Sequence, residues 1–138
     1  MEANTIQKYS NKTIPQLIKL AEKVVNANIR SKALKNGFFQ CVSCLGWKMK
    51  DQLNAGHYYS AGHHPIVRFH PDNIHGQCVR CNLHLHGNVD KYRINLLKVI
   101  GKERLEHLDY LVNSAKANGF KWDRFSLIEI IEKYKQAN

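Results

Sequence analysis

The sequence lacks the features that would place a protein in a membrane or outside the cell. No apolar run approaches the ~20 residues that a transmembrane helix needs. The polar N-terminal stretch MEANTIQKYSNKT has no apolar segment of the kind found in secretory signals. We therefore expect a cytoplasmic protein with no membrane partner, in a compartment where thiols stay reduced.

Acidic residues are also scarce. The chain has 11 Asp and Glu against 21 Lys and Arg, which gives a formal net charge of +10. The basic residues are spread over the whole length and form no tail, a distribution that suits a protein whose several faces meet a polyanion. The charge alone is equally compatible with a protein that has a high pI but binds no acidic partner.

The 138 residues suit a single domain, and the spacing of apolar residues predicts a mixed α+β fold. Both ends of the chain have helical periodicity, whereas the middle is punctuated by glycine and predicts a compact hairpin. The run Ile66-Val67-Arg68-Phe69 is assigned to that hairpin. We divide the domain (1–138) into an N-terminal helix at 1–35, a core at 36–101 and a C-terminal helical arm at 102–138.

Four cysteines form two pairs with the spacing of metal ligands. The pairs are CVSC at 41–44 and CVRC at 78–81, with 33 residues between them. Two intervening residues let both sulfurs of a pair face one ion, and two such pairs complete a tetrahedral shell. The sequence therefore predicts one structural Zn²⁺ held by Cys41, Cys44, Cys78 and Cys81. Redox pairs and unrelated buried cysteines are the alternatives.

The histidines are concentrated near these cysteines. Seven of the eight fall within residues 57–86, in or just beyond the loop that a bound zinc would close. Histidine can accept a proton, bind a metal or donate to a phosphate. Hydrolysis of a phosphodiester uses these roles together with a divalent ion that neutralises developing charge.

The order of these residues resembles the HNH nuclease motif. AGHY at 55–58 resembles the first strand of a ββα-metal hairpin, DNIHGQC at 72–78 resembles the central HNH element, and CVRCN at 78–82 resembles the start of the helix. An asparagine directly after the last cysteine is similar to the endonuclease VII type of phage enzyme.

A longer resemblance covers residues 26–101. It rests on five segments: NANIRSK (26–32), CVSC (41–44), AGHYYSAG (55–62), VRFHPDNIHGQCVRCN (67–82) and HGNVDKYRINLLKVIG (86–101). Together they resemble the NinG family of phage recombination proteins, also called Rap. The resemblance implies a zinc-stapled ββα-metal centre flanked by helices, in a protein of the bacterial host cell of a phage or prophage.

The resemblance also implies an activity and a set of site residues. The expected protein is a structure-specific DNA endonuclease that cuts branched recombination intermediates such as Holliday junctions and D-loops. His57 is then the general base, Asn73 braces the hairpin and orients this base, and Asn82 is a ligand of a catalytic Mg²⁺ or Mn²⁺. His75 is expected either to orient the phosphate or to hydrogen-bond near the zinc cysteines.

The sequence departs from the HNH pattern on the first strand. Gly56 stands where HNH enzymes often have Asp or His, and Asn54 stands where the related phage proteins tend to have Asp. The first-strand ligand of the catalytic ion is therefore left open. Asn54, His84 and His86 are the candidates to complete the set around Asn82.

Further expectations concern partners. Branched DNA is the expected ligand, with phosphate contacts from Arg68, Arg80, Lys91 and Arg93. The apolar stripes of the C-terminal helices suit either plain packing or a homodimer, and host or phage recombination proteins are further expected partners. The rival functions are a non-catalytic zinc DNA-binding module, an HNH nicking or homing endonuclease with sequence preference, and a zinc scaffold for protein partners.

Overall fold

Helices form both ends of the chain and short strands form its middle. A computed structural model describes residues 1–137. The helices are α1 (Ala3–Lys8), α2 (Ile14–Ala33), α3 (Val89–Ile100), α4 (Lys102–Asn118) and α5 (Arg124–Ala137). The strands are β1 (Phe38–Gln40), β2 (Trp47–Met49), β3 (Leu53–His57) and β4 (Ile74–Cys78). The α+β prediction is confirmed, and none of these described helices has the length and apolarity to cross a membrane.

The helix α2 begins at a pair of capping residues. The Thr13 hydroxyl accepts a hydrogen bond from the Gln16 backbone, and the Gln16 side chain accepts one from the Thr13 backbone. This capping box satisfies two N–H groups that a helix start leaves unpaired, and Pro15 fits the first turn. The apolar face of α2 packs against α5, which joins the two ends of the chain in one core.

The middle of the chain contains two hairpins where the sequence predicted one. β1 pairs with β2, and β3 pairs with β4, both antiparallel. The run at 66–69 is not a strand, so that part of the prediction was wrong. Pro65 opens a 3₁₀ turn there, and the run divides its apolar side chains between two cores, with Val67 in one and Phe69 in the other.

The β3–β4 hairpin lies between two helices. Side chains alternate across a strand, so the two faces of the hairpin contact different partners. Ala55 and Ile74 pack in the core that includes α2. On the opposite face, His75 contacts Tyr92 of α3. This alternation decides which polar residues of the hairpin can share a pocket.

The chain after β4 is not one continuous helix. A single π-helical turn covers Arg80–His84, and left-handed backbone at Gly87 (φ 89°) and Asn88 (φ 43°) precedes α3. The chain therefore breaks at Gly87-Asn88, between the π-helical turn and α3. Gly101 and Gly119, with φ of 84° and 78°, end α3 and α4.

Candidate metal centre and catalytic pocket

The four cysteines converge on one point. Their sulfur atoms all lie within 4.8 Å of one another, and the Cys44 and Cys78 sulfurs are 4.0 Å apart. A tetrahedral ion with metal–sulfur bonds of about 2.3 Å separates its thiolates by about 3.8 Å, so the cluster can hold one metal ion. Burial raises the pKa of the Cys41 thiol to about 12, and the backbone N–H of Cys78, which donates to the Cys41 sulfur at 3.3 Å, opposes part of this shift.

A metal at this cluster would order the neighbouring polar residues. Cys78 ends β4, and Cys81 lies in the π-helical turn directly before Asn82. The Asn88 side chain donates to the Cys81 sulfur at 3.4 Å, so the segment that leads into α3 is tied to the same point.

A second, open pocket lies beside β3. His57, Asn82 and His86 line it together with Glu22 and Asn26, which α2 contributes. The structure thus brings together three of the residues proposed from the sequence. Within residues 1–137, only the cysteine cluster gathers three or more His, Cys, Asp or Glu ligand atoms within 4.8 Å. An ion in the second pocket would therefore have few protein ligands.

His57 is held in one tautomer. Its Nε2 lies 2.8 Å from the backbone carbonyl oxygen of Arg68. A carbonyl only accepts, so Nε2 carries the proton and Nδ1 keeps a free lone pair. Burial lowers the pKa of His57 below its ordinary value of 6.5, and the hydrogen bond to Arg68 and the charge of Glu22 offset only part of that effect. The ring is therefore a neutral proton acceptor near pH 7.

Asn73 ties together the loop that holds His57. Its side-chain oxygen accepts from the Tyr59 backbone at 2.8 Å. Its amide nitrogen donates to the carbonyls of Tyr59 at 2.9 Å and Val67 at 3.2 Å. Val67 directly precedes Arg68, so Asn73 fixes the peptide segment whose carbonyl orients His57.

The structure places His75 and His84 outside this pocket. His75 lies on the opposite face of the hairpin, with its Nδ1 3.3 Å from the Tyr92 hydroxyl, and burial lowers its pKa to about 4. Strand alternation separates it from His57. His84 is exposed at the end of the π-helical turn and does not line the pocket.

The position before His57 has no room for a ligand. A Cβ atom on Gly56 would lie 2.0 Å from the Gln77 side-chain oxygen and 2.7 Å from the Gln77 Cβ. Gln77 is fully buried and donates to the Gly87 carbonyl at 2.6 Å. Asn54 does not line the pocket either. The strand therefore supplies no acidic ligand, and α2 supplies the pocket's carboxylate, Glu22.

We expect Gly56→Asp to destabilise the protein rather than create a ligand. The new side chain would collide with the Cβ of Gln77, which cannot move without the strand, and overpacking of this kind costs roughly 1–3 kcal/mol or more. Chemical denaturation followed by circular dichroism measures the loss. Gly62→Ala is the matched control, because a Cβ there meets nothing within 4 Å; equal stability of the Gly56 and Gly62 variants would contradict the prediction.

The basic residues proposed for DNA contacts divide into two groups. Arg68 pairs with Glu22 at 3.0 Å, and Arg93 forms two hydrogen bonds with Asp109 at 3.0 and 2.7 Å. These two guanidinium groups form ion pairs within the protein, and the phosphate contacts expected of them stay a prediction. Arg80 and Lys91 line an exposed depression beside the cysteines, and their role in DNA contact stays a prediction.

Sequence reasoning missed Glu22 and Asn26. A signal was present, since Glu22 is the only acidic residue between Glu2 and Asp51. Asn26 follows it at i+4, on the same helical face. Nothing in the sequence links this face to His57, however, because the link depends on how α2 packs against the hairpin.

Comparison with known proteins gives a family. The family model described as "Bacteriophage Lambda NinG protein" matches residues 2–138. "Protein ninG" of Escherichia phage 933W is 35% identical over 131 residues, covering 95% of this chain and 61% of the relative. The proteins of the same name are 34% identical over 131 residues in Escherichia phage lambda (95% and 60%) and 38% over 104 residues in Salmonella phage P22 (75% and 49%).

The chain spans about three fifths of the length of the first of these relatives. No solved structure matches it. The family model covers nearly every residue, and the identity to two relatives extends over 95% of the chain. The resemblance drawn from the motifs is confirmed at the level of the family: this chain belongs to the NinG family of bacteriophage proteins.

Proposed function

We propose that this chain is a metal-dependent DNA endonuclease of the HNH type that hydrolyses phosphodiester bonds in branched DNA. The observation that carries the proposal is the fixed tautomer of His57, whose Nε2 donates to Arg68 and whose Nδ1 is free to accept a proton. This histidine shares an open pocket with Asn82, the residue that the HNH motif assigns to metal binding.

The order of elements supports the HNH assignment. The β3–β4 hairpin carries His57 on its first strand, and the π-helical turn after its second strand carries Asn82. We propose that the cysteine cluster beside this turn binds Zn²⁺. A closed shell of four thiolates leaves no position for water, so this zinc would be structural.

The pocket suits a hard divalent ion. Glu22 offers a carboxylate, Asn82 an amide oxygen and His86 an imidazole. Mg²⁺ usually keeps several waters and takes only one or two protein carboxylates together with phosphate oxygens, which agrees with the sparse ligand set. A bound Mg²⁺ or Mn²⁺ would neutralise the charge that develops on the phosphate and the leaving oxygen.

The residues of the chain account for the proton transfer. His57 Nδ1 accepts a proton from a water molecule, and the resulting hydroxide attacks the phosphorus in line. The bond between phosphorus and the 3′-oxygen breaks, which leaves a 5′-phosphate and, after protonation, a 3′-hydroxyl. The Arg68 carbonyl stabilises the imidazolium that forms, and Asn73 keeps that carbonyl in place.

Two features of the sequence support the preference for branched DNA. The net charge of +10 suits a polyanionic ligand, and the NinG resemblance implies recombination intermediates. The test is incubation of the zinc-loaded protein with linear, flapped, D-loop and four-way substrates, each with Mg²⁺, Mn²⁺ or chelator. Cleavage of the branched substrates with either ion is expected. Absence of cleavage on every DNA would favour a non-catalytic binding module, and a fixed cut in linear duplex would favour a sequence-specific nicking enzyme.

Glu22→Gln should weaken Mn²⁺ binding to the zinc-loaded protein. Loss of a charged ligand should lower the Mn²⁺ affinity at least about tenfold, because hard cations prefer a carboxylate to a neutral oxygen. Even mutation of residues that only hydrogen-bond to metal ligands lowers metal affinity about 10–100-fold. Electron paramagnetic resonance of free Mn²⁺ measures the affinity without requiring cleavage.

Arg68→Met provides the control for this variant. It also removes the Glu22–Arg68 ion pair, but it leaves the carboxylate and the backbone carbonyl of residue 68 in place. We expect its Mn²⁺ affinity to equal or exceed that of the unmodified protein. Equal losses in both variants would mean that the ion pair matters and that Glu22 is not a ligand.

A further inference from the structure

The outer face of the β1–β2 hairpin is apolar and uncovered. Strand alternation places four side chains on this face: Phe38, Gln40, Trp47 and Met49. Phe38 is 47% exposed, Met49 61% and Trp47 63%, whereas Phe39 on the opposite face is fully buried beside the cysteines. Exposed apolar side chains that form a contiguous patch often mark a binding surface, whereas single exposed apolar residues need no explanation. We call the three exposed apolar residues the outer hairpin face.

No side chain within residues 1–137 stacks on the two aromatic rings of this face. The contacts of Phe38 and Trp47 include no ring–ring or cation–ring interaction, and the indole N–H of Trp47 has no hydrogen-bond partner there. By contrast, the other tryptophan, Trp122, is half-buried and donates to the Pro65 carbonyl at 2.9 Å. The outer hairpin face therefore presents two flat aromatic surfaces to the solvent.

Basic side chains outnumber acidic ones around these rings, where Asp51 lies beside Met49 and Lys50. Lys35 and Lys50 lie beside the two strands, whereas Lys48 pairs with Phe39 and lies on the opposite face. Neither Lys35 nor Lys50 takes part in an ion pair among residues 1–137. Asp51 is the only acidic residue between Glu22 and Asp72. Pairing with the same face of a second copy would bring these lysines together, which is unfavourable. A polyanion with an apolar component complements the surface.

We propose that the outer hairpin face binds unpaired DNA bases by stacking them on Trp47 and Phe38. The inference rests on the proposed function in taking DNA as the ligand, and it adds a means of recognising branched substrates. In a duplex the flat faces of the bases are covered by their neighbours, whereas single-stranded segments and branch points expose them. Stacking on an aromatic side chain suits any base, and the lysines contact the adjoining phosphates.

The test compares binding of single-stranded, flapped and fully duplex oligonucleotides of equal length, by fluorescence anisotropy, without Mg²⁺ or Mn²⁺. The full-length zinc-loaded protein is compared with its Trp47→Ala/Phe38→Ala variant. We expect the dissociation constant for the single-stranded and flapped DNA to rise at least about thirtyfold, as expected for the loss of two stacking contacts. The constant for duplex should change by less than about threefold, since lysine–phosphate contacts dominate there.

Two controls accompany the measurement. Tyr110→Ala removes an aromatic ring of similar exposure, 65%, from α4, and should leave every affinity unchanged. In the Trp122→Phe protein, Trp47 is the only tryptophan, and its fluorescence should be quenched by a thymidine oligonucleotide but not by duplex. Thermal melting and zinc content verify that each variant is folded.

Several results would overturn the proposal. These are unchanged affinity for single-stranded DNA in the double variant, an equal loss for duplex and single strands, and a change in sedimentation that shows the face to be a contact between copies. Failure of the proposed nuclease function would give a different set of results. The unmodified protein would then cut no DNA with either ion while Trp47 was still quenched, whereas failure of the stacking proposal leaves cleavage by the unmodified protein intact.

Discussion

Removal of the metal from the four-cysteine site should abolish the ordered structure around it. Zinc binding in small modules contributes on the order of 10 kcal/mol, and an entire domain is stable by only about 5–15 kcal/mol. The β1–β2 hairpin, with three residues in each strand, is too short to persist alone. The small core that holds it includes Cys41, Cys78 and Cys81 themselves. We therefore expect the metal-free protein to lose the second pocket as well.

The measurement combines metal analysis with thermal melting. The purified protein should contain one zinc per chain, and dialysis against a strong chelator should remove it together with the main cooperative transition. Cys44→Ser should bind zinc more weakly. Cys44→His is the control, because Cys44 is the exposed cysteine of the four and imidazole is a zinc ligand. An unchanged transition in the metal-free protein would show that the cluster does not hold the fold together.

His57→Ala should abolish DNA cleavage and preserve DNA binding. A positioned general base contributes about 10²- to 10⁴-fold to the rate, and no other histidine of the pocket has its ring fixed by a backbone carbonyl. The cleavage rate should also fall as the pH is lowered. Burial lowers the pKa of His57 below 6.5, so the loss of rate on acidification, as the ring becomes protonated, should come at a lower pH than an unperturbed histidine would give.

Single-turnover rates on a flapped substrate, measured from pH 5 to 8, test this expectation. His107→Ala is the matched control. His107 is the one histidine outside residues 57–86, is exposed on α4 and lies outside the pocket. Residual cleavage by His57→Ala within tenfold of the unmodified protein would rule out His57 as the base. Loss of cleavage in both variants would indicate a general effect of histidine removal.

The helical part of the fold was predictable because its signals are local. Thr13 with Gln16, and the glycines at 101 and 119, mark helix ends through bonds made within a few residues. The two hairpins were harder to predict, since their strands have only three to five residues and leave little alternation to detect. The run at 66–69 has high strand propensity, but burial of Val67 and Phe69 in separate cores outweighed it.

The candidate site shows the same division. Motif order identified His57, Asn82 and His86, and the structure places them in one pocket. It also suggested His75 and His84, which lie elsewhere. Residue order along the chain does not specify which face of a strand a side chain occupies relative to the packed helices. For His75 that face is set by the pairing of Gly56 with His75 and of His57 with Ile74.

The sequence by itself determined the cysteine cluster, the basic character and the family. A two-residue spacing brings ligands together through local backbone geometry, and charge and motif order do not depend on folding. Only the tertiary structure decided that Glu22 of α2 provides the carboxylate beside His57, that Gly56 leaves no room for one, and that Trp47 and Phe38 face the solvent. Each of these depends on strand register and on packing between distant segments.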